Sequence, residues 1–178
     1  AELRPAQFKA VKAGLLEGKN LLVCTPTASG KTLIAEMACM KSILEGKGKA
    51  VYIVPLKALA SEKFRDFSAR YGKLCKVAVS SGDLDSEDSY LANYDLIITT
   101  SEKLDSLLRH HSPWINEIKV IVVDEIHLLN DPARPPTLEI LHTKLRQLVK
   151  PQEIGLSATI GNPKELAAWL GAELIIDN

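Results

Sequence analysis

Thr25-Pro-Thr-Ala-Ser-Gly-Lys-Thr32 is the stretch that decides the fold. It follows the apolar run Leu21-Leu22-Val23 and leads into Leu33-Ile34-Ala35-Glu36-Met37, whose pattern is helical. A strand, a loop of small residues and a helix opening on Gly-Lys-Thr form a phosphate cradle. Backbone N–H groups of the loop and the helix start point at anionic oxygens. Thr25, Pro26, Thr27, Ala28, Ser29, Gly30, Lys31 and Thr32 are therefore the expected nucleotide-binding loop. Lys31 is expected to reach the β- and γ-phosphates, and Thr32 to place its hydroxyl on Mg²⁺. The general pattern begins with Gly where this chain has Thr25, so on the loop alone a plain small-residue turn is a second reading.

A second motif supports the first. Val120-Ile-Val-Val-Asp124-Glu125-Ile126-His127 is an apolar, β-branched run ending in two carboxylates, the pattern of a buried parallel strand. Ligands of open α/β sheets collect at the carboxyl ends of strands, so Lys31 and Asp124 can share one site. Asp124 would hold Mg²⁺, directly or through water, and Glu125 would orient and deprotonate the attacking water. The alternative is that the two acids only cap the helix that follows.

The chain has 178 residues, enough for one α/β domain with a proper core. Lys and Arg balance Asp and Glu at 22 each, so no global charge argues for nucleic acid, and any such surface must be local. Cys24, Cys39 and Cys75 are widely spaced and form no C-x-x-C pair. They read as reduced thiols of a cytoplasmic protein rather than a metal site or disulfide framework. No apolar run reaches transmembrane length, no signal peptide is visible, and no membrane partner is expected. The start at Ala1 and the stop just after Glu173-Leu-Ile-Ile-Asp177 read as a single excised domain over residues 1–178, with processing as the second explanation of the first residue.

Pro5 suits a first helical turn, with Phe8, Val11, Leu15 and Leu16 as its apolar stripe. The helix after the loop carries Leu33, Ile34, Met37, Met40, Ile43 and Leu44, and Gly46-Lys-Gly48 stops it. Further strands are expected at 50–54, 76–79, 95–99, 153–156 and 174–176. Between them, Leu59, Phe64 and Phe67 mark one helix, Ser101 caps another running to about Arg109, and two more cover about 136–149 and 163–170. Ser80 to Ser89 reads as a polar, acidic surface loop. Alternation of strands with helices implies a mainly parallel sheet wrapped on both faces.

Together these motifs resemble the first RecA-like domain of a superfamily 2 DExH-box helicase, over nearly the whole length. Leu3-Arg-Pro-Ala-Gln7 is similar to the Q motif, Thr25 to Thr32 to motif I in its Thr-first form, and Pro55-Leu-Lys-Ala-Leu-Ala60 to motif Ia. Thr99-Thr-Ser-Glu-Lys103 resembles motif Ib, Asp124-Glu-Ile-His127 motif II, and Ser157-Ala-Thr159 motif III. Within the superfamily, Asp124-Glu-Ile-His-Leu-Leu, the Gly82-Asp-Leu-Asp loop and Ser157-Ala-Thr-Ile-Gly-Asn resemble the Ski-like branch. Its archaeal DNA helicases of stalled replication forks, related to the helicase part of DNA polymerase theta, are the nearest likeness.

The resemblance implies a RecA-like P-loop fold, ATP and Mg²⁺ as cofactors, and ATP hydrolysis coupled to 3′-to-5′ movement on single-stranded or forked DNA in repair or fork processing. An RNA helicase of the same branch is the alternative. It implies that Gln7 pairs with adenine, that His127 joins Lys31, Asp124 and Glu125 in the catalytic set, and that Ser157 and Thr159 couple hydrolysis to nucleic acid. It also implies a second RecA-like domain supplying the arginine finger, so that this chain alone would bind nucleotide weakly and be nearly inactive. Leu56, Lys57, Thr100, Ser101 and Lys103 would contact nucleic-acid phosphates, because they lie past strand ends and at helix starts. The plainer reading of Lys57 and Lys103 is that both are solvated surface charges. His110 and His111 read as a helix end, His142 as helix surface, and Trp114 and Trp169 as core or interface aromatics.

Overall fold

A computed structural model describes residues 2–82, 88–129 and 137–177. Among these residues seven strands form one sheet: β1 (Leu21–Cys24), β2 (Lys49–Val54), β3 (Val77–Ser80), β4 (Leu96–Thr100), β5 (Ile118–Val123), β6 (Gln152–Ser157) and β7 (Glu173–Ile176). Their order is β3-β4-β2-β5-β6-β1-β7, and every pairing is parallel. The helices are α1 (Pro5–Lys12), α2 (Lys31–Leu44), α3 (Lys57–Tyr71), α4 (Ser101–Arg109), the single turn α5 (Ile126–Leu129), α6 (Thr137–Leu148) and α7 (Pro163–Leu170).

Side chains alternate across a strand, so each strand feeds two cores. Ala50, Tyr52 and Val54 of β2 join Leu21, Val23, Val120 and Val122 beneath α1, α2 and α3. Val51 and Ile53 join Leu22, Ile121 and Val123 on the other face, with Leu104 and Leu107 of α4, Leu141 and Leu145 of α6, and Leu166 and Leu170 of α7. Both faces are covered, which is why the strands read as continuous apolar runs rather than alternating ones. The sheet is wholly parallel among the described residues, a stricter arrangement than the mainly parallel one expected.

Several local expectations differ from the fold. The first helix ends at Lys12, and Leu15 and Leu16 lie in a short 3₁₀ turn behind Gly14, whose φ of 106° breaks the helix. Its buried face is Ala6, Gln7 and Ala10, while Phe8 is exposed. Small residues there let α1 lie close against α2. Leu33 and Leu44 of α2 are likewise exposed, and Ala35, Ala38 and Cys39 are buried instead. Thr100, not Ser101, caps α4, its hydroxyl accepting the N–H of Lys103 at 3.3 Å. His142 is not a surface residue: its ring stacks on Trp169 with centroids 4.6 Å apart and Nδ1 lies 2.9 Å from Glu153. The three cysteines are free and buried. Trp114 is core, whereas Trp169 is partly exposed. Residues 83–87 of the acidic loop, and Pro136 at the expected start of α6, lie outside the described residues. Among the described residues no helix is long and apolar enough to cross a membrane.

Candidate active site

The loop after β1 has the conformation that a phosphate requires. Ala28 (φ 65°) and Gly30 (φ 85°) are both left-handed, which turns successive N–H groups inward at the start of α2. Gly30 stands at the N-cap and no side chain caps the helix, so its first-turn donors stay available. Lys31 is the first helical residue, and its Nζ is buried without a hydrogen-bond partner. Glu125 Oε1 lies 3.5 Å away as an ion-pair partner, but the ammonium makes no hydrogen bond among the described residues, and a polyphosphate would supply the missing acceptors. Thr25 and Ser29 close the loop by a hydroxyl–hydroxyl bond.

Gln7 sits against this loop. Its Oε1 accepts the N–H of Arg4 at 2.9 Å and its Nε2 donates to the carbonyl of Gly30 at 3.2 Å. Arg4 Nη1 donates to the carbonyl of Ala28 at 2.7 Å. The start of α1 is thereby fastened to the P-loop. A methyl group at position 30 would stand 2.7 Å from Gln7 Nε2, so the glycine serves the approach of Gln7 as well as its own φ.

The carboxylates stand across β6 from the P-loop, at the end of β5. Asp124 is buried, yet each of its oxygens has one donor: the Tyr52 hydroxyl at 2.7 Å on Oδ2 and the N–H of Glu125 at 2.9 Å on Oδ1. Burial, followed by the charge of Asp124 and the bond to it, holds the Tyr52 phenol well above its ordinary pKa. Lys63 Nζ approaches Asp124 Oδ2 at 3.9 Å. Glu125 adopts φ 48°, which turns its carboxylate toward the P-loop: Oε1 lies 3.5 Å from Lys31 Nζ, and Oε2 lies 3.5 Å from His127 Nε2. His127 Nδ1 accepts the N–H of Ala158 at 3.3 Å and lies 3.2 Å from Ser157 Oγ. Because Nδ1 accepts, the network puts the ring proton on Nε2, facing Glu125. Lys31, Glu125, His127 and Ser157 thus form a continuous polar line across the carboxyl ends of β1, β6 and β5. Thr32 is half-buried beside the loop, whereas Thr159 is exposed and has no contact among the described residues that joins it to this line.

The expected nucleic-acid residues divide. Leu56 and Lys57, past the end of β2, are exposed. Lys103 has no solvent exposure and pairs with Asp88 at 3.2 Å, which corrects its reading both as a solvated charge and as an accessible phosphate contact. Thr100 and Ser101 are buried as well. The cause is their position, since α4 folds back from β4 and lays its first turn against the sheet. Tyr52 and Lys63 were not singled out from the sequence. The available signal was Tyr52 itself, the single side chain with a polar tip between Ala50 and Val54. A buried tyrosine hydroxyl requires a partner.

A parallel sheet with a P-loop after β1, two carboxylates after β5 and Ser-Ala-Thr after β6 defines a RecA-like nucleotide-binding domain. The DEAD/DEAH box helicase family model matches residues 4–166, and the chain belongs to that family. It is 59% identical to the ATP-dependent DNA helicase Hel308 of Pyrococcus abyssi, over 98% of this chain and 24% of that protein. It is 58% identical to the ATP-dependent DNA helicase Hel308 of Methanocaldococcus jannaschii, over 99% of this chain and 15% of that protein. The chain therefore spans about a quarter or less of the length of these curated relatives. Among solved structures, the Mycobacterium smegmatis helicase Lhr bound to single-stranded DNA and AMP-PNP superposes with a TM-score of 0.85 at 30% identity. That match covers 99% of this chain and 26% of that one. The DUF1998 helicase MrfA bound to DNA superposes at 0.81 and 28% identity, covering 99% of this chain and 27% of that one.

Proposed function

We propose that this chain is the first RecA-like domain of a longer ATP-dependent DNA helicase, which couples ATP hydrolysis to 3′-to-5′ movement on single-stranded DNA in repair or fork processing. The observation that carries the reading is the line Lys31–Glu125–His127–Ser157, which joins a phosphate-seeking lysine to a carboxylate and then to the strand end that follows. The DNA assignment rests on relatives named as ATP-dependent DNA helicases that match over nearly the whole of this chain. Lys31 and the N–H groups of the loop hold the β- and γ-phosphates. Glu125 orients the attacking water and takes its proton, and His127 reports the state of Glu125 to β6. Gln7 reads adenine, a role supported by its attachment to the loop. Leu56 and Lys57 contact the nucleic-acid backbone.

Mg²⁺ fits the donors present. Asp124 keeps lone pairs free on both oxygens and Thr32 offers a hydroxyl, the few hard oxygens that such a cation takes beside phosphate. When bound, it neutralises charge on the phosphate oxygens. A second RecA-like domain completes the site with an arginine finger, so the 178-residue chain alone is nearly inactive, and the whole protein works in the cytoplasm.

The test is the ATPase rate of the full-length protein, with and without single-stranded DNA or RNA, beside Glu125→Gln. DNA stimulation is expected, with the variant slower by about 10²–10⁴-fold, the usual contribution of a general base. Stimulation by RNA alone would move the protein to RNA processing. A rate indifferent to both would overturn the motor.

A further inference from the structure

Asp124 is fixed by a side chain outside every motif described above. β2 and β5 are neighbours, and Tyr52 stands opposite Val122 in their register. Asp124 lies two residues beyond Val122 and so on the same face. A tyrosine pointing toward the carboxyl end of β2 spans those two residues, and its hydroxyl meets Asp124 Oδ2 at 2.7 Å. The ring itself is wedged. It is 1% exposed and packs edge-on against Phe67 of α3, with centroids 5.1 Å apart at 81°. Lys63 of the same helix lies 5.8 Å over the ring and 3.9 Å from the same carboxylate oxygen.

We propose that Tyr52 is a positioning residue for the divalent-cation site: its hydroxyl sets the plane of the Asp124 carboxylate, so that the oxygens' remaining lone pairs face the nucleotide. This rests on Asp124 as the metal-binding carboxylate, as read above. The bond from the Glu125 N–H to Oδ1 fixes one oxygen and the phenol fixes the other, so rotation about the carboxylate axis is stopped from both sides. Lys63 cannot replace the phenol. At 3.9 Å it is beyond hydrogen-bond reach, and its ammonium is shared with the faces of Tyr52 and Phe67. Tyr52 also ties the site to α3, the helix that begins at Lys57, so the metal-binding carboxylate and the expected nucleic-acid helix share one buried ring.

The experiment is ADP affinity of the full-length protein by calorimetry, in Mn²⁺ and in EDTA, for wild type, Tyr52→Phe and Asp124→Asn. Removing a group that orients a metal ligand typically lowers metal affinity by about 10–100-fold. Tyr52→Phe is expected to reduce the Mn²⁺-dependent gain in ADP affinity by about tenfold while leaving affinity in EDTA unchanged. An unchanged gain overturns the proposal, and so does an equal loss in Mn²⁺ and EDTA, which would mark a purely structural tyrosine. If Asp124→Asn also keeps the full Mn²⁺ gain, the metal reading of Asp124 fails and the role of Tyr52 falls with it.

Discussion

Glu125 Oε2 lies 3.5 Å from His127 Nε2, while Nδ1 of the same imidazole accepts the N–H of Ala158 at 3.3 Å. One ring thus links the end of β5 to the end of β6. Along the chain these residues are 31 positions apart. Across the sheet their strands are neighbours, because β5 pairs β6. On the proposed function, this ring is the route by which a change in the charge or position of Glu125 would reach Ser157 and Ala158.

His127→Ala removes both contacts and leaves the P-loop intact. ADP affinity is expected to stay within about threefold of wild type, because Lys31 and the loop carry it. The DNA-stimulated ATPase of the full-length protein is expected to fall by about tenfold or more, the loss that accompanies a hydrogen bond to a charged group. Steady-state rates across a DNA titration check this. A variant with the full stimulation factor would show that the ring carries no signal.

The two lysines once read alike should part under mutation. Lys57→Ala is expected to weaken single-stranded DNA binding and to lower the salt slope by about one, with no change in melting temperature. Lys103→Ala removes the fully buried partner of an ion pair whose other member, Asp88, keeps 17% side-chain exposure. Loss of about 1–3 kcal/mol is expected, and melting about 5 °C lower. Salt-dependent binding isotherms and thermal melts of both variants check this. Equal melting temperatures would contradict the buried role of Lys103.

Alkaline pH should weaken the fold. Burial, followed by the charge of Glu36, lifts the Tyr71 phenol to about 12, and burial lifts the thiol of Cys39 and the phenol of Tyr52 as well. The folded chain keeps these protons where the unfolded chain releases them, from model values of 9.0 for the thiol and 10.0 for the phenols. Stability is therefore full below about pH 9 and falls as pH rises toward about 12. Melting temperatures between pH 7 and 11 are expected to drop over the upper two units, and Cys39→Ala and Tyr71→Phe to flatten that drop. A flat wild-type profile to pH 11 would contradict it.

The glycine of the loop has two roles that are separable by substitution. Gly30→Ala places a Cβ at φ 85° and 2.7 Å from Gln7 Nε2. The left-handed conformation alone costs about 1–2 kcal/mol. Calorimetry of ADP binding and a thermal melt are expected to show loss of both affinity and stability. Gln7→Ala gives up the side chain's two hydrogen bonds, with Arg4 and with the Gly30 carbonyl, but also removes the contact, so the double variant should lose less than the sum of the two single losses. Strictly additive losses in the double variant would contradict the close approach, and unchanged melting in Gly30→Ala would contradict the strain.

The features readable from residue order are local and periodic. The runs Leu21–Val23 and Val120–Val123 and the Gly-Lys-Thr start of α2 are legible, within a residue or two of the observed bounds, because backbone preference, apolar periodicity and helix-start chemistry act between near neighbours. The P-loop and the Asp-Glu-x-His box were legible for the same reason. The remaining features depend on which strands lie side by side. The order β5-β6-β1 brings Glu125 to Lys31, and the β2–β5 register brings the Tyr52 hydroxyl to Asp124. The packing of α4 against the sheet takes Lys103 from solvent to an ion pair with Asp88. No local pattern encodes those meetings, because each joins residues far apart in the chain through a sheet order that only the packing of both faces selects.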